Sequence, residues 1–198
     1  MTKVLVTYTT KYGSTTEVAE AVGKEFQATG AAVDVRPLSE AGDLARYDAV
    51  VVGGPMIVGW HREAVRFLKD NRQILSDKPV ALFMTAMALT KTADDKVGET
   101  PIFQDPVAAK TPKNPGRLSI HEGFSTPAKH VGPVLKRVPE VKPVAAGLFG
   151  GKLDYSKLNP LALLFVKVVV RAKEGDTRNW EAIRAWAKSV APLLIASK

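Results

Sequence analysis

Val4-Leu5-Val6-Thr7-Tyr8, running straight into Thr9-Thr10-Lys11-Tyr12-Gly13-Ser14-Thr15-Thr16, is the stretch that decides the fold. The apolar run reads as a short buried strand. Beyond the hydroxyl-rich turn, Val18, Val22 and Phe26 recur at helical spacing and Gly30 closes the helix. A strand, a tight turn and a helix N-terminus together make an anion site. First-turn N–H groups lack intrahelical partners, and the helix dipole favours negative charge there. Thr and Ser hydroxyls add donors that adapt to phosphate oxygens. The turn has no G-x-G-x-x-G and no closing Gly-Lys-Ser/Thr, so it is neither a dinucleotide fingerprint nor a Walker loop. An ordinary N-capped helix after a first strand is the alternative reading of the same residues.

Outward from this turn, strands and helices alternate. Ala32-Val33-Asp34-Val35-Arg36 alternates apolar and polar, as an edge strand does. Asp48 to Gly54, Pro79 to Thr85 and Pro143 to Phe149 are continuous apolar runs, suited to strands buried on both faces. Arg62 to Leu75 reads as one helix, with Val65, Leu68, Arg72 and Leu75 at helical spacing. Thr126-Pro127 opens another, with proline at its first position. A last helix carries Trp180, Ile183, Ala187, Val190 and Leu194 as a stripe, capped by Asp176 or Thr177, with Pro192 near its end. The expectation is an α/β fold, a doubly wound five-stranded parallel sheet with helices on both faces, forming one domain over residues 1–198. Ligands of such sheets bind beyond the C-terminal strand ends, where strand order reverses.

Two stretches exceed that minimal plan. Lys91 to Gly123 is long, polar and Pro-rich, and reads as a lid or a mobile insertion. Asp154 to Lys173 holds the apolar core Leu161 to Val170, shorter than the about 20 residues a bilayer span needs. It is either a helix covering the sheet edge or a surface that meets a membrane or a partner.

The 198 residues are 45% hydrophobic and 24% charged, enough for one domain with a sizeable core. Cysteine is absent, which excludes disulfides and thiolate metal sites, and His61, His121 and His130 have no metal-ligand spacing. No metal is therefore expected. The chain enters a strand at once without a signal-peptide core, pointing to the cytoplasm. The net charge of +8 either serves solubility or attracts an anionic partner, such as a membrane surface, an acidic protein or a polycarboxylate substrate. Lys and Arg form no tight block interleaved with aromatics, so nucleic acid is not expected.

The pattern Tyr8-x-Thr10-x-x-Gly13-Ser14-Thr15 resembles the phosphate loop of flavodoxins, where such a turn holds the phosphate of FMN. On that likeness Thr9, Thr10, Lys11, Tyr12, Gly13, Ser14 and Thr15 are candidate cofactor ligands. The third strand ends in Gly53-Gly54-Pro55-Met56-Ile57-Val58-Gly59-Trp60-His61, beside the first loop in a flavodoxin-like order. Its glycines let backbone approach a planar ring. Pro55, Met56, Ile57, Val58 and Gly59 would wall that ring, and Trp60 would either stack on it or sit in the core. His61 either donates to the flavin and shuttles a proton, as the candidate catalytic residue, or flanks a helix. Thr85, Ala86, Met87 and Ala88 would bracket the ring edge with backbone groups. Lys91 and Lys96 follow, and either hold an anion over the site or are plain surface lysines.

More narrowly, the chain is similar to the menaquinone-dependent protoporphyrinogen dehydrogenase family, a membrane-associated, FMN-containing branch of the flavodoxin fold. Gly53 to His61 resembles that family's Gly-x-Ser-Ile-x-x-Gly-x-His run, with Pro55-Met56 in place of x-Ser. Glu174-Gly175-Asp176-Thr177-Arg178-Asn179-Trp180 resembles its Gly-Glu-Thr-Asp-Thr-Arg stretch before a Trp-bearing helix. The resemblance implies an oxidoreductase passing electrons from an organic donor, such as an anionic porphyrinogen, to a quinone. Peripheral attachment to the inner face of the membrane and a homodimer are further expectations. No aromatic closely follows the fourth strand, which leaves one ring face open or covered by the insertion. Lys11, His61 and Lys91, rather than acids, surround the expected ring and favour an anionic reduced flavin. A one-electron flavodoxin-type carrier, docking on a redox protein, is the competing function. A flavin-free module on the same fold is the third.

Overall fold

The computed structural model describes residues 1–57, 59–114, 116–170 and 173–195, with backbone alone at Phe165, Val169 and Val170. β1 (Lys3–Tyr8) passes through the hydroxyl-rich turn into α1 (Ser14–Ala28), and β2 (Ala32–Pro37) follows. β3 (Ala49–Pro55) leads to α2 (Arg62–Asp70), α3 (Arg72–Ser76) and β4 (Val80–Ala86). After β4 come β5 (Leu89–Thr90), β6 (Lys96–Val97), β7 (Thr100–Gln104) and β8 (Ala109–Lys110). Next are α4 (Ile120–Phe124), α5 (Pro127–Arg137), β9 (Pro143–Gly150) and β10 (Lys152–Leu153). The chain closes with α6 (Pro160–Phe165), β11 (Gly175–Asp176) and α7 (Trp180–Ile195).

The main sheet runs β2-β1-β3-β4-β9-β7-β6. All its pairs are parallel except β6–β7. Strand alternation sends Val4, Val6, Val51 and Phe83 to one face, under α1 and α7, and Leu5, Val50, Val52 and Leu82 to the other, under α2 and α5. Trp186 anchors the first layer, edge-on to Phe149 at 5.5 Å and to Phe83 at 6.4 Å. Gly53 is required by packing, because a Cβ there would sit 1.9 Å from the Phe83 ring.

Four expectations change. The sheet has seven strands rather than five, because the stretch between Lys91 and Gly123 folds onto its edge as β6 and β7 instead of forming a lid. Pro101 is tolerated at the start of β7, ahead of the Ile102–Gln104 stretch that pairs with β9. The stretch from Arg62 to Leu75 is two helices broken at Asn71, whose side-chain amide donates to the Phe67 carbonyl at 2.8 Å. The last helix is capped by Asn179, accepting from Ala182 N–H at 3.2 Å, and not by Asp176 or Thr177. Asp105, fully buried in the insertion, orients that cap by accepting from Asn179 Nδ2 at 3.2 Å and also accepts from Gly150 N–H at 3.4 Å.

The fourth change concerns the apolar segment. Asn159 caps α6, accepting from Ala162 N–H at 2.8 Å, and a π-helical turn continues it over Val166–Val170. This segment does not cover the sheet edge. Leu161 is 78% exposed and Leu164 and Val168 each 60%, while β7 and β6 occupy the edge. Arg171 and Ala172 of that segment, and Pro115 of the insertion, lie outside the described residues. Among the described residues no helix is long and apolar enough to cross a membrane.

Candidate functional site

The chain leaves β1 on one side toward β2 and on the other β1 pairs with β3, so strand order reverses between β1 and β3. Their ends are level, with Tyr8 opposite Gly53, and β4 finishes beside them, with Thr85 opposite Pro55. Three loops therefore converge where ligands of doubly wound sheets bind.

The first loop is built as a cradle. Thr9 N–H donates to Gly53 O at 3.0 Å and pins the loop to β3. Gly13 N–H donates to Thr10 Oγ1 at 2.9 Å and closes the turn. Gly13, at φ 87°, is the N-cap of α1. Only a residue without Cβ takes that conformation cheaply, and glycine has no side chain with which to cap. First-turn N–H groups of α1 thus keep their positive end open to an anion. Thr10, Tyr12 and Ser14 are half-buried around it and Lys11 is exposed, with its ammonium 5.5 Å from the Tyr12 ring centroid. Two candidate hydroxyls turn elsewhere. Thr15 is fully buried with Oγ1 3.5 Å from Thr85 Oγ1, and Thr9 Oγ1 donates to Glu63 Oε2 at 2.5 Å. Thr15 has only its backbone amide to offer, and the Thr9 hydroxyl is engaged by Glu63.

The second loop is a tight turn. Met56 and Trp60 bridge, Ile57 N–H donates to Gly59 O at 3.2 Å, and His61 N–H donates to Pro55 O at 3.1 Å. Ile57 stands 41% exposed at its tip, and Val58 lies outside the described residues. Trp60 does not offer a face for stacking. It is only 6% exposed, inside the core with its indole N–H donating to Gly54 O at 3.2 Å. It props the loop from beneath, and Ile57 takes the outward position. His61 is the half-buried N-cap of α2, its Nδ1 3.4 Å from Thr9 Oγ1 and 3.7 Å from Glu63 Oε2.

The third loop is tied to the second by Met56 N–H donating to Thr85 O at 2.8 Å. Thr85 and Ala86 are buried, while Met87 and Ala88 emerge. Below them, the His130 ring on α5 bonds the Ala88 backbone, and burial pushes its pKa below the ordinary 6.5. Lys91 is exposed beyond β5, its backbone N–H donating to Lys110 O at 2.9 Å. Lys96 does not reach the site, because β6 is the far edge of the sheet.

Sequence reasoning missed two charged residues here. Glu63 places a carboxylate beside His61, so the surroundings are less uniformly basic than Lys11, His61 and Lys91 imply. Arg178 is far away in sequence, yet its Nη1 donates to Ser14 O at 3.2 Å. Helix periodicity points to the solvent face for Glu63, and no local pattern announces a contact across the whole chain.

A profile of the flavodoxin domain family matches residues 5–179. The chain belongs to the flavodoxin domain family. It is 38% identical over 121 residues to a Cupriavidus metallidurans protein named NAD(P)H dehydrogenase (quinone), covering 50% of this chain and 61% of that one. A Gluconacetobacter diazotrophicus protein of the same name is 30% identical over 126 residues, covering 52% and 63%. The matches thus span about three fifths of these relatives' own length. Among solved structures, two-electron reduced Megasphaera elsdenii flavodoxin superposes with a TM-score of 0.53 at 13% identity, covering 95% of this chain and 98% of that one. That likeness establishes the fold alone.

The cofactor that the fold family implies is FMN, and the residues present fit it. The open α1 N-terminus behind Gly13 suits a phosphate, and the Ile57 and Met87–Ala88 loops leave backbone and apolar groups where a planar ring would lie.

Proposed function

We propose that this protein is an FMN-dependent oxidoreductase that passes electrons from an organic donor to a quinone-type acceptor. The observation that carries this reading is the uncapped N-terminus of α1 at the point of strand reversal, with two further loops converging on it. When bound, FMN supplies the hydride and electron transfer, and the protein supplies position, access and electrostatics. Thr10, Lys11, Tyr12, Gly13, Ser14 and the Thr15 amide would hold the phosphate. Pro55, Met56, Ile57 and Gly59 would line one side of the ring, and the backbone of Thr85 to Ala88 would meet its edge. His61 would hold or move a proton at Nδ1, with Thr9 and Glu63 as its neighbours.

The quinone-reductase name of the two relatives supports a quinone acceptor. A porphyrinogen-type donor rests on the resemblance of Gly53–His61 and Glu174–Trp180 and on the net charge of +8, which suits propionates. The exposed Leu161, Leu164 and Val168, with Lys157, Lys167 and Lys173 around them, support peripheral contact with a bilayer that carries the quinone.

The test is turnover. Full-length protein loaded with FMN is mixed with a water-soluble menaquinone analogue and, separately, with NADH, NADPH or protoporphyrinogen. Quinone reduction sustained by one of these donors supports an enzyme and names its donor. Electron passage from the photoreduced flavoprotein to a redox protein, without turnover of NADH, NADPH or protoporphyrinogen, identifies a one-electron carrier instead.

A further inference from the structure

Arg178 is a cation in a place that ordinarily repels one. It lies against the first turn of α1, the positive end of that helix dipole. Its side chain is nevertheless 3% exposed and held on several sides. Nε donates to Asp176 Oδ1 at 2.9 Å, Nη2 to Asp176 Oδ2 at 2.6 Å, and Nη1 to Ser14 O at 3.2 Å. Nη1 also lies 3.0 Å from Glu17 Oε2, and the guanidinium stacks 4.6 Å from the Trp180 ring centroid.

The position is rigid. Thr177 N–H and Oγ1 both donate to Gly151 O at 2.9 Å, and a Cβ on Gly150 would sit 1.9 Å from Thr177 O. Residue 177 is thereby pinned beside the end of β9, which sets Arg178 against the α1 turn. A small cavity beside it is lined by Tyr12 and Ser14 of the loop, Glu17, Lys152, Asp154 and Lys157. Lys152 stands opposite Asp176 across the β10–β11 pair. Three cations (Arg178, Lys152, Lys157) thus face three carboxylates (Glu17, Asp154, Asp176) around the entrance to the loop.

We propose that Arg178 is a positioning residue for the cofactor's phosphate, which fixes the first turn of α1 through Ser14 and Glu17 and neutralises the carboxylates that would otherwise repel a phosphate dianion. This inference rests on the FMN reading above. A lysine at this position keeps the charge but cannot span Ser14, Glu17 and Asp176 at once with a planar fork. Asp176 has a second duty in this arrangement: it holds the guanidinium in register, so its own charge is tolerated only while Arg178 is present.

The experiment compares FMN with riboflavin, which lacks the phosphate, by fluorescence titration of full-length wild type, R178K, R178Q and D176N/R178Q. Wild type is expected to bind FMN more tightly than riboflavin. R178Q is expected to lose about tenfold in FMN affinity and under twofold in riboflavin affinity. R178K should lose less, and D176N/R178Q should recover part of the loss. Equal losses for both flavins, or a folded R178Q with wild-type FMN affinity, overturn the inference. If circular dichroism shows that R178Q does not fold, R178K decides alone by whether its loss is confined to FMN. A wild-type chain that takes up neither flavin removes the FMN reading and this inference with it.

Discussion

Thr9 Oγ1 donates to Glu63 Oε2 at 2.5 Å, and His61 Nδ1 lies 3.4 Å from the same hydroxyl. The end of β1 and the start of α2 thus share one polar cluster between the first and second loops. With Glu63 68% exposed, solvent screens much of its charge, and the cluster serves to orient His61. H61Q is expected to lower quinone turnover about tenfold or more while FMN affinity stays within about threefold. Turnover and titration on the same preparation check this. A parallel loss of FMN affinity would make His61 a support of the loop.

Trp60 separates support from contact. W60A is expected to cost about 3–5 kcal/mol in urea unfolding, as loss of a large core aromatic does. W60F, which removes the indole donor to the Gly54 carbonyl, should cost about 1 kcal/mol. The flavin absorption maximum of W60F should match wild type. A shift of that band on W60F would place the indole against the ring.

His130 gives a pH signature. Burial holds its imidazole neutral in the folded state, below the ordinary 6.5, while the unfolded chain takes up a proton near that value. Below about pH 6.5 the unfolded state binds more protons and stability falls. The melting temperature should drop between pH 7.5 and 5.5, and H130Q should flatten that dependence. An unchanged slope in H130Q would assign the drop to other groups.

The apolar face of α6 is open to a direct test. Wild type is expected to co-sediment with vesicles containing phosphatidylglycerol and much less with phosphatidylcholine alone. L161D/L164D should lose the binding without lowering the melting temperature, since both side chains are exposed. Equal pelleting of wild type and L161D/L164D would remove this face from any membrane contact.

The parts of the fold legible in sequence are those with a local physical signature. Val4 to Tyr8 and Ala49 to Gly54 are buried on both faces, so their sequences are almost wholly apolar. Gly13 announces itself because the turn needs a positive φ and α1 begins there. The rest depended on distant partners. Thr100 to Gln104 has no strand-like alternation, and it becomes β7 because β9 presents an open edge to it. Asn179 displaces Asp176 as the cap because Asp105, buried in the insertion, holds the Asn179 amide while Asp176 is taken by Arg178. Trp60 and Glu63 fall next to His61 in the chain, yet one turns into the core and the other toward Thr9, a choice made by tertiary packing.

Whether the protein carries FMN turns on the Gly13 turn holding its phosphate. The most direct measurement is the visible spectrum of the full-length protein after incubation with FMN and desalting, beside a Gly13→Val variant whose side chain resists the positive φ. Wild type should retain flavin bands at about one FMN per chain, and the variant should lose most of them while staying folded. A colourless wild type would contradict the account and return the chain to a flavin-free member of the same fold.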